Sequence, residues 1–296
     1  MTDTLASLRH KLASAHKLGS VVRAMKAVAA TSIVQYEAAV TALADYARCV
    51  ELGLSLCVQE ESAVPLSAAP TGIVRNRPVG ALIFGSDQGL VGRFNEIVAN
   101  FSLQALQPLD GPQTVWIVGE RVGPHLKASN ISIRHCYALP GSAAAITSLV
   151  SEIQLELEAY TAAAPTAAVH LFHNRPVSAA RYEPVTERLL PLDDAWRRRL
   201  ARVAWPRARS AEVLGGTHTN FPALVHEHLF ICLYKACAES LASENASRLE
   251  AMQRAEKNID DISATLHRSL NRLRQGTIDA ELFDVVSGFN ALGGGH

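Results

Sequence analysis

Proline placement divides this sequence before any other feature does. All 13 prolines lie between Pro65 and Pro222, and none lies in residues 1–64 or 223–296. Proline removes a backbone donor and its ring clashes with the preceding helical turn, at about 3 kcal/mol inside a helix. Both terminal flanks are therefore free to form long helices, and the middle is not. The sequence predicts three parts: a coiled-coil helix over 1–64, a globular α/β domain over 65–222, and a second coiled-coil helix with a tail over 223–296.

The N-terminal flank carries the periodicity such a helix needs. Steps of three and four from Leu5 pass through Leu8, Leu12, Ala15, Gly19, Val22, Lys26, Ala29, Ile33, Tyr36, Val40, Leu43, Ala47, Val50, Leu54 and Cys57. Only Gly19 and Lys26 interrupt the apolar line, and a seam held this long predicts left-handed supercoiling. Asp3 or Thr4 can cap its start. At 1.5 Å per residue the helix should run roughly 80–90 Å.

The C-terminal flank has neither glycine nor proline from Ala223 to Gln275. Its apolar line is Leu241, Leu249, Met252, Ala255, Ile259, Ile262, Leu266, Leu270 and Leu273, with Asn245 as a polar interruption. Gly276 weakens the helix by about 1 kcal/mol relative to alanine. A helical pattern resumes over Ala280–Leu292 before a flexible Gly293-Gly294-Gly295 tail. Both helices join the middle at their inner ends, so side-by-side pairing within one chain must be antiparallel.

The middle alternates strand and helix. Strands are expected at Val79–Phe84, Thr114–Gly119, Ile131–Cys136, Thr166–His173 and Arg181–Leu189. Helices are expected near Phe94–Leu106, Arg121–Ala128 and Ala143–Ala162. This spacing predicts a small, Rossmann-like, mostly parallel sheet covered by helices. Ser62–Pro78 and Arg207–Asn220 read as linkers. The fold class is α/β: a long antiparallel coiled coil plus this small domain.

Lysine plus arginine total 28 against 28 acidic residues, which removes the basic signature of a nucleic-acid binder. Five cysteines without CxxC spacing read as reduced thiols, not a disulfide framework. Arg9, His10 and Lys11 interrupt any N-terminal leader, and no run of 18 or so uninterrupted apolar residues predicts a membrane span.

Candidate chemistry is sparse. Gly85-Ser86-Asp87-Gln88-Gly89-Leu90-Val91-Gly92-Arg93-Phe94-Asn95 follows a strand and precedes a helix, where phosphate loops sit. It lacks the Lys and Ser or Thr of a P-loop and does not fit GxGxxG, so it reads as a tight turn. His226 with His228, His170 with His173, and Cys232 with Cys237 all have spacings that place the pair on different faces or awkwardly for a shared metal. Arg197, Arg198, Arg199, Arg202, Arg207 and Arg209 crowd around Trp196 and Trp205; Asp193 and Asp194 dilute their field. A solvated or protein-facing patch is the simplest reading.

Three segments, in order along the chain, resemble the gamma subunit of F-type ATP synthases. They are Leu8–Ala30 with its AMKAVAA core, Ser86–Asn95 (SDQGLVGRFN), and Leu241–Gly288 almost throughout. The resemblance implies a rotating central shaft that catalyses no reaction and carries no cofactor. Its implied partners are the alpha and beta subunits of the catalytic hexamer, the epsilon subunit and the membrane c-ring, with no nucleic acid and no direct membrane insertion. It places the chain peripherally on the cytoplasmic side of a bacterial inner membrane.

By motif position the resemblance assigns partner contacts to Met25, Lys26, Arg248, Arg274, Gln275, Asp279 and Glu281. Lys26, breaking the seam, is expected to point outward to an acidic partner. Asp279 stands where the family usually has threonine, Val91 and Arg93 where it has cysteine and glycine, and Gly276 where it has alanine. These departures suggest a divergent relative, with the shaft of a sodium-translocating hydrolytic ATPase as the alternative. More distant rivals are a nucleotide-using α/β enzyme with helical arms and a self-associating coiled-coil scaffold.

Overall fold

The computed structural model describes residues 4–61, 76–129, 131–178, 181–205 and 216–293. Its elements are α1 (Leu5–Glu61), β1 (Val79–Phe84), α2 (Phe94–Leu106), β2 (Gln113–Val118), α3 (Gly123–Lys127), β3 (Ile133–Tyr137), α4 (Ile146–Ala163), β4 (Ala168–Ser178), β5 (Arg181–Leu190), α5 (Asp194–Ala201) and α6 (Thr217–Gly293). The chain forms two compact units, one of residues 1–29 with 249–296 and one of residues 30–248.

In the first unit, the ends of α1 and α6 run antiparallel. Lys26 pairs with Glu256, Gly19 lies beside Ile259, and the rings of His16 and His267 meet edge to face. One residue number falls as the other rises. Thr4 caps α1, its Oγ1 accepting from Ser7 N at 3.3 Å; Asp3 lies outside the described residues.

Along α1 every one of the sixteen seam positions is buried or half-buried, Lys26 included. The α6 seam departs from its expected line. Ile262 is 55% exposed and Leu273 40%, while Ser263 is half-buried. The reason is rotation: at about 100° per residue from Met252, Ser263 and Leu270 fall within about 20° of it and Ile262 about 80° away.

The second unit holds a five-stranded sheet in the order β3-β2-β1-β4-β5. The first four strands are parallel and β5 returns antiparallel beside β4. Every residue of β1 is buried, as a central parallel strand covered on both faces requires. Alternation sorts its side chains between two cores. Leu82 and Phe84, with Trp116 and Leu171, pack on α4 and α6. Ala81 and Ile83, with Val115 and Ile117, pack on α2 and α3.

A third cluster joins Val50 and Leu54 of α1 to Trp196 and Leu200 of α5 and Ile231 of α6. The helix α5 was not expected from sequence. It is capped by Asp193, whose Oδ1 accepts from Trp196 N at 2.8 Å. Arg207 and Arg209, like most of both expected linkers, lie outside the described residues. α6 corrects one linker boundary by starting at Thr217 and carrying Pro222 inside it. Pro222 leaves only the carbonyl of His218 without its helical donor, and His218 is exposed to water.

α1 also contains an 18-residue window of mean hydropathy 1.3, long and apolar enough by composition to cross a membrane, with 11% of that window buried. The apolar surface it leaves outward matters below.

Candidate partner interface

The glycine-rich turn after β1 is closed by its own hydrogen bonds. Asn95 Oδ1 accepts from Ser86 N at 2.9 Å, and its Nδ2 donates to Ser86 Oγ at 2.8 Å. Asp87 accepts from Glu120 N at 3.0 Å and Leu139 N at 2.7 Å, stitching the ends of β1, β2 and β3 together. Gly85 has no room for a side chain, since a Cβ would stand 2.6 Å from Val122 Cβ. Gly119, at φ +92°, would press a Cβ to 2.7 Å from Ser86 N. The amides of Gly85, Ser86 and Phe94 are likewise bonded within the fold, to Val118, Asn95 and Val91.

Among the described residues no three His, Cys, Asp or Glu side chains converge to hold an ion. His226 faces Glu158 at 3.3 Å, and His173 is buried against Glu239 at 2.8 Å. His228 and Cys232, one turn apart, come within 3.7 Å. Burial pushes the Cys232 thiol up to about 12, so it is a protonated, unreactive thiol at neutral pH. Both line a cavity of about 880 Å³ between α1, α5 and α6.

The surface features lie on the helices. Leu18, Val21 and Val28 are 59%, 56% and 66% exposed. With half-buried Met25 they are spaced three, four and three apart, so they form one apolar stripe on α1. On α6 every residue from Asn271 to Gly288 is exposed, including Ile278, Leu282, Val285, Val286 and Phe283 at 74%. Arg274, Gln275, Asp279 and Glu281 sit in that stretch. The α1 stripe was missed in the sequence, although its spacing runs parallel to the seam.

Two of the expected contact residues are engaged within the chain. Lys26 Nζ lies 2.5 Å from Glu256 Oε2, so it breaks the apolar seam by crossing to the other helix instead of pointing away. Arg248 keeps only 11% of its side chain exposed; Nη2 donates to Glu244 Oε1 at 2.5 Å and Nη1 to Asn245 Oδ1 at 3.2 Å. Burial raises the pKa of Glu244 against the pull of Arg248.

Long N- and C-terminal helices and a central mixed sheet of five strands define the class of protein. A family model described as ATP synthase matches residues 4–292. The ATP synthase gamma chain of Anaeromyxobacter dehalogenans is 28% identical over 300 residues, covering 98% of this chain and 99% of that one. That of Moorella thermoacetica is 26% identical over 297 residues, covering 97% and 99%. The rotor of the Euglena gracilis mitochondrial ATP synthase superposes with a TM-score of 0.61 at 16% identity, covering 93% of this chain and 98% of that one. The central stalk of the Tetrahymena thermophila mitochondrial enzyme gives 0.55 at 20%, covering 79% and 99%. The chain belongs to the ATP synthase family.

Proposed function

We infer that the chain is the rotating central shaft, the gamma chain, of an ATP synthase: a non-catalytic subunit of a membrane-associated complex. The observation that carries this reading is the exposed apolar surface of α6 from Ile278 to Val286. A single helix exposing phenylalanine, leucine and valine to water is marginal without a partner. A ring of catalytic subunits enclosing it would supply one. The α1 stripe of Leu18, Val21, Met25 and Val28 offers a second such surface.

Mechanically, a shaft that is not three-fold symmetric touches three chemically identical catalytic sites differently. Their affinities then differ at each angle, which is a coupling free energy carried by a solid body. In this reading Met25, Arg274, Gln275, Asp279 and Glu281 would meet the alpha and beta subunits, and Lys26 and Arg248 would join only by leaving Glu256 and Glu244. Asp279 would repel an acidic facing loop unless that loop has changed with it. The α/β domain, taken as residues 65–222 between the helical segments 1–64 and 223–296, would bind the epsilon subunit and the membrane c-ring. In this reading the complex sits at the inner membrane of a bacterium, with this chain peripheral on the cytoplasmic face; the bacterial gamma chains it resembles support that reading. The transported ion is a property of the membrane ring.

Replacing both Leu282 and Phe283 by serine tests the reading. The isolated chain should keep its stability within about 0.5 kcal/mol, because both side chains are exposed. Its binding to the catalytic ring should weaken at least about tenfold. Unchanged ring binding would contradict the inference.

A further inference from the structure

Three polar side chains stand one turn apart along α6: Glu239, Ser243 and Ser247. Each reaches a different part of the α/β layer. Glu239 Oε2 lies 2.8 Å from His173 Nε2 in β4. Ser243 Oγ donates to the carbonyl of Asn174 at 3.0 Å. Ser247 Oγ donates to the carbonyl of Val91, in the turn after β1, at 2.6 Å. Asn174 extends the chain of bonds by donating its Nδ2 to the carbonyl of Phe94 at the start of α2, at 3.2 Å. Every one of these residues is buried, Ser243, Asn174 and Phe94 completely.

Packing alone does not call for such a stripe. Ala238, Leu241 and Ala242 bury themselves beside it as apolar residues, and the polar version has a cost: among the described residues His173 Nδ1 and Asn174 Oδ1 find no partner. What the stripe adds is direction. Apolar contacts are non-directional and survive a small rotation or slide of one element on another. A hydroxyl bonded to a backbone carbonyl accepts one helix rotation and one axial register. Two such bonds and the Glu239–His173 contact, on successive turns, fix both.

We propose that Glu239, Ser243 and Ser247 are the torque key of this rotor, the positioning residues that stop α6 turning against the α/β layer under load. This rests on the rotor reading above and says where within the chain the twist is carried. The neighbouring Glu244–Arg248 pair lies on the same helix but bonds along it, so it stiffens α6 without gripping the layer.

The test is rotation of the assembled ATPase with a bead coupled to the α/β domain, its torsional stiffness read from angular fluctuation during pauses. In the Ser243→Ala/Ser247→Ala variant stiffness should fall at least about twofold while the catalytic ring hydrolyses ATP at the normal rate. Ser247→Thr keeps the hydroxyl and should keep the stiffness. A merely structural role would lower the melting temperature of the double variant and leave the stiffness of the folded, assembled rotor unchanged; that result overturns the proposal. Should the double variant not fold, Ser247→Ala alone carries the same readout, and wild-type stiffness there also overturns it. A bead on the α/β domain that fails to rotate even in the wild-type complex would count against the rotor reading and not against the key.

Discussion

At the scale of single residues, the seam of α1 contains two positions whose chemistry differs from the rest, and they make opposite predictions. Gly19 is buried, yet a Cβ there meets only the flexible end of Arg23 at 3.4 Å and Ile259 at 3.6 Å, ordinary contact distances. Gly19→Ala should therefore stabilise the fold by about 0.5–1 kcal/mol in denaturant unfolding, through helix propensity. Lys26 is held by Glu256, with 36% and 22% of the two side chains exposed. A double-mutant cycle with alanine should return a coupling of only about 0.5–1 kcal/mol, smaller in high salt. His228 carries a pH signature. Burial, reinforced by the nearby Arg199 charge, holds its pKa below the ordinary 6.5. The neutral ring is favoured in the fold, so its stability contribution is present above pH 6.5 and lost as pH falls toward the depressed value. His228→Gln should flatten the decline of melting temperature on acidification below pH 6.5; an unchanged slope would contradict the assignment.

At the scale of elements, Leu54 of α1 is fully buried against α5 and α6. Leu54→Ala should cost about 2–5 kcal/mol, where a change at exposed Val28 should cost almost nothing. This contrast follows the seam, and the seam was readable because a long helix repeats its face every three or four residues. β1 and α2 were equally readable: a continuous apolar run between Pro78 and Gly85, then an amphipathic run from Phe94. The eight residues of α5 were not, because Arg197, Arg198 and Arg199 dominate the segment and its anchors Trp196 and Leu200 bury against distant α1. The buried polar stripe of α6 escaped for a similar reason. Its partners His173, Asn174 and Val91 lie between 66 and 156 residues away in the chain, so no local pattern announces them. Asn245 looked like a break in the seam; it bonds instead to the carbonyl of Leu241 at 2.8 Å.

At the scale of the whole molecule, the surfaces proposed to meet partners are helical, and the motif that resembled a nucleotide loop holds strand ends together through its side chains. Asp87, Ser86 and Asn95 bond to the fold. The isolated chain should accordingly show neither ATP hydrolysis nor nucleotide binding by equilibrium dialysis. The residues proposed to face partners rest on the resemblance alone, since an exposed contact on a helix obeys no rule that the lone chain can reveal. Lys26 and Arg248 show why: each has found an acid within its own chain. The most direct measurement of the central claim is to assemble the chain with the alpha and beta subunits, fix the ring to a surface and watch a bead attached to the α/β domain as ATP is added. The account predicts unidirectional rotation that stops when ATP is withdrawn. A ring that turns over ATP normally while the chain stays unbound, or bound and still, would contradict it.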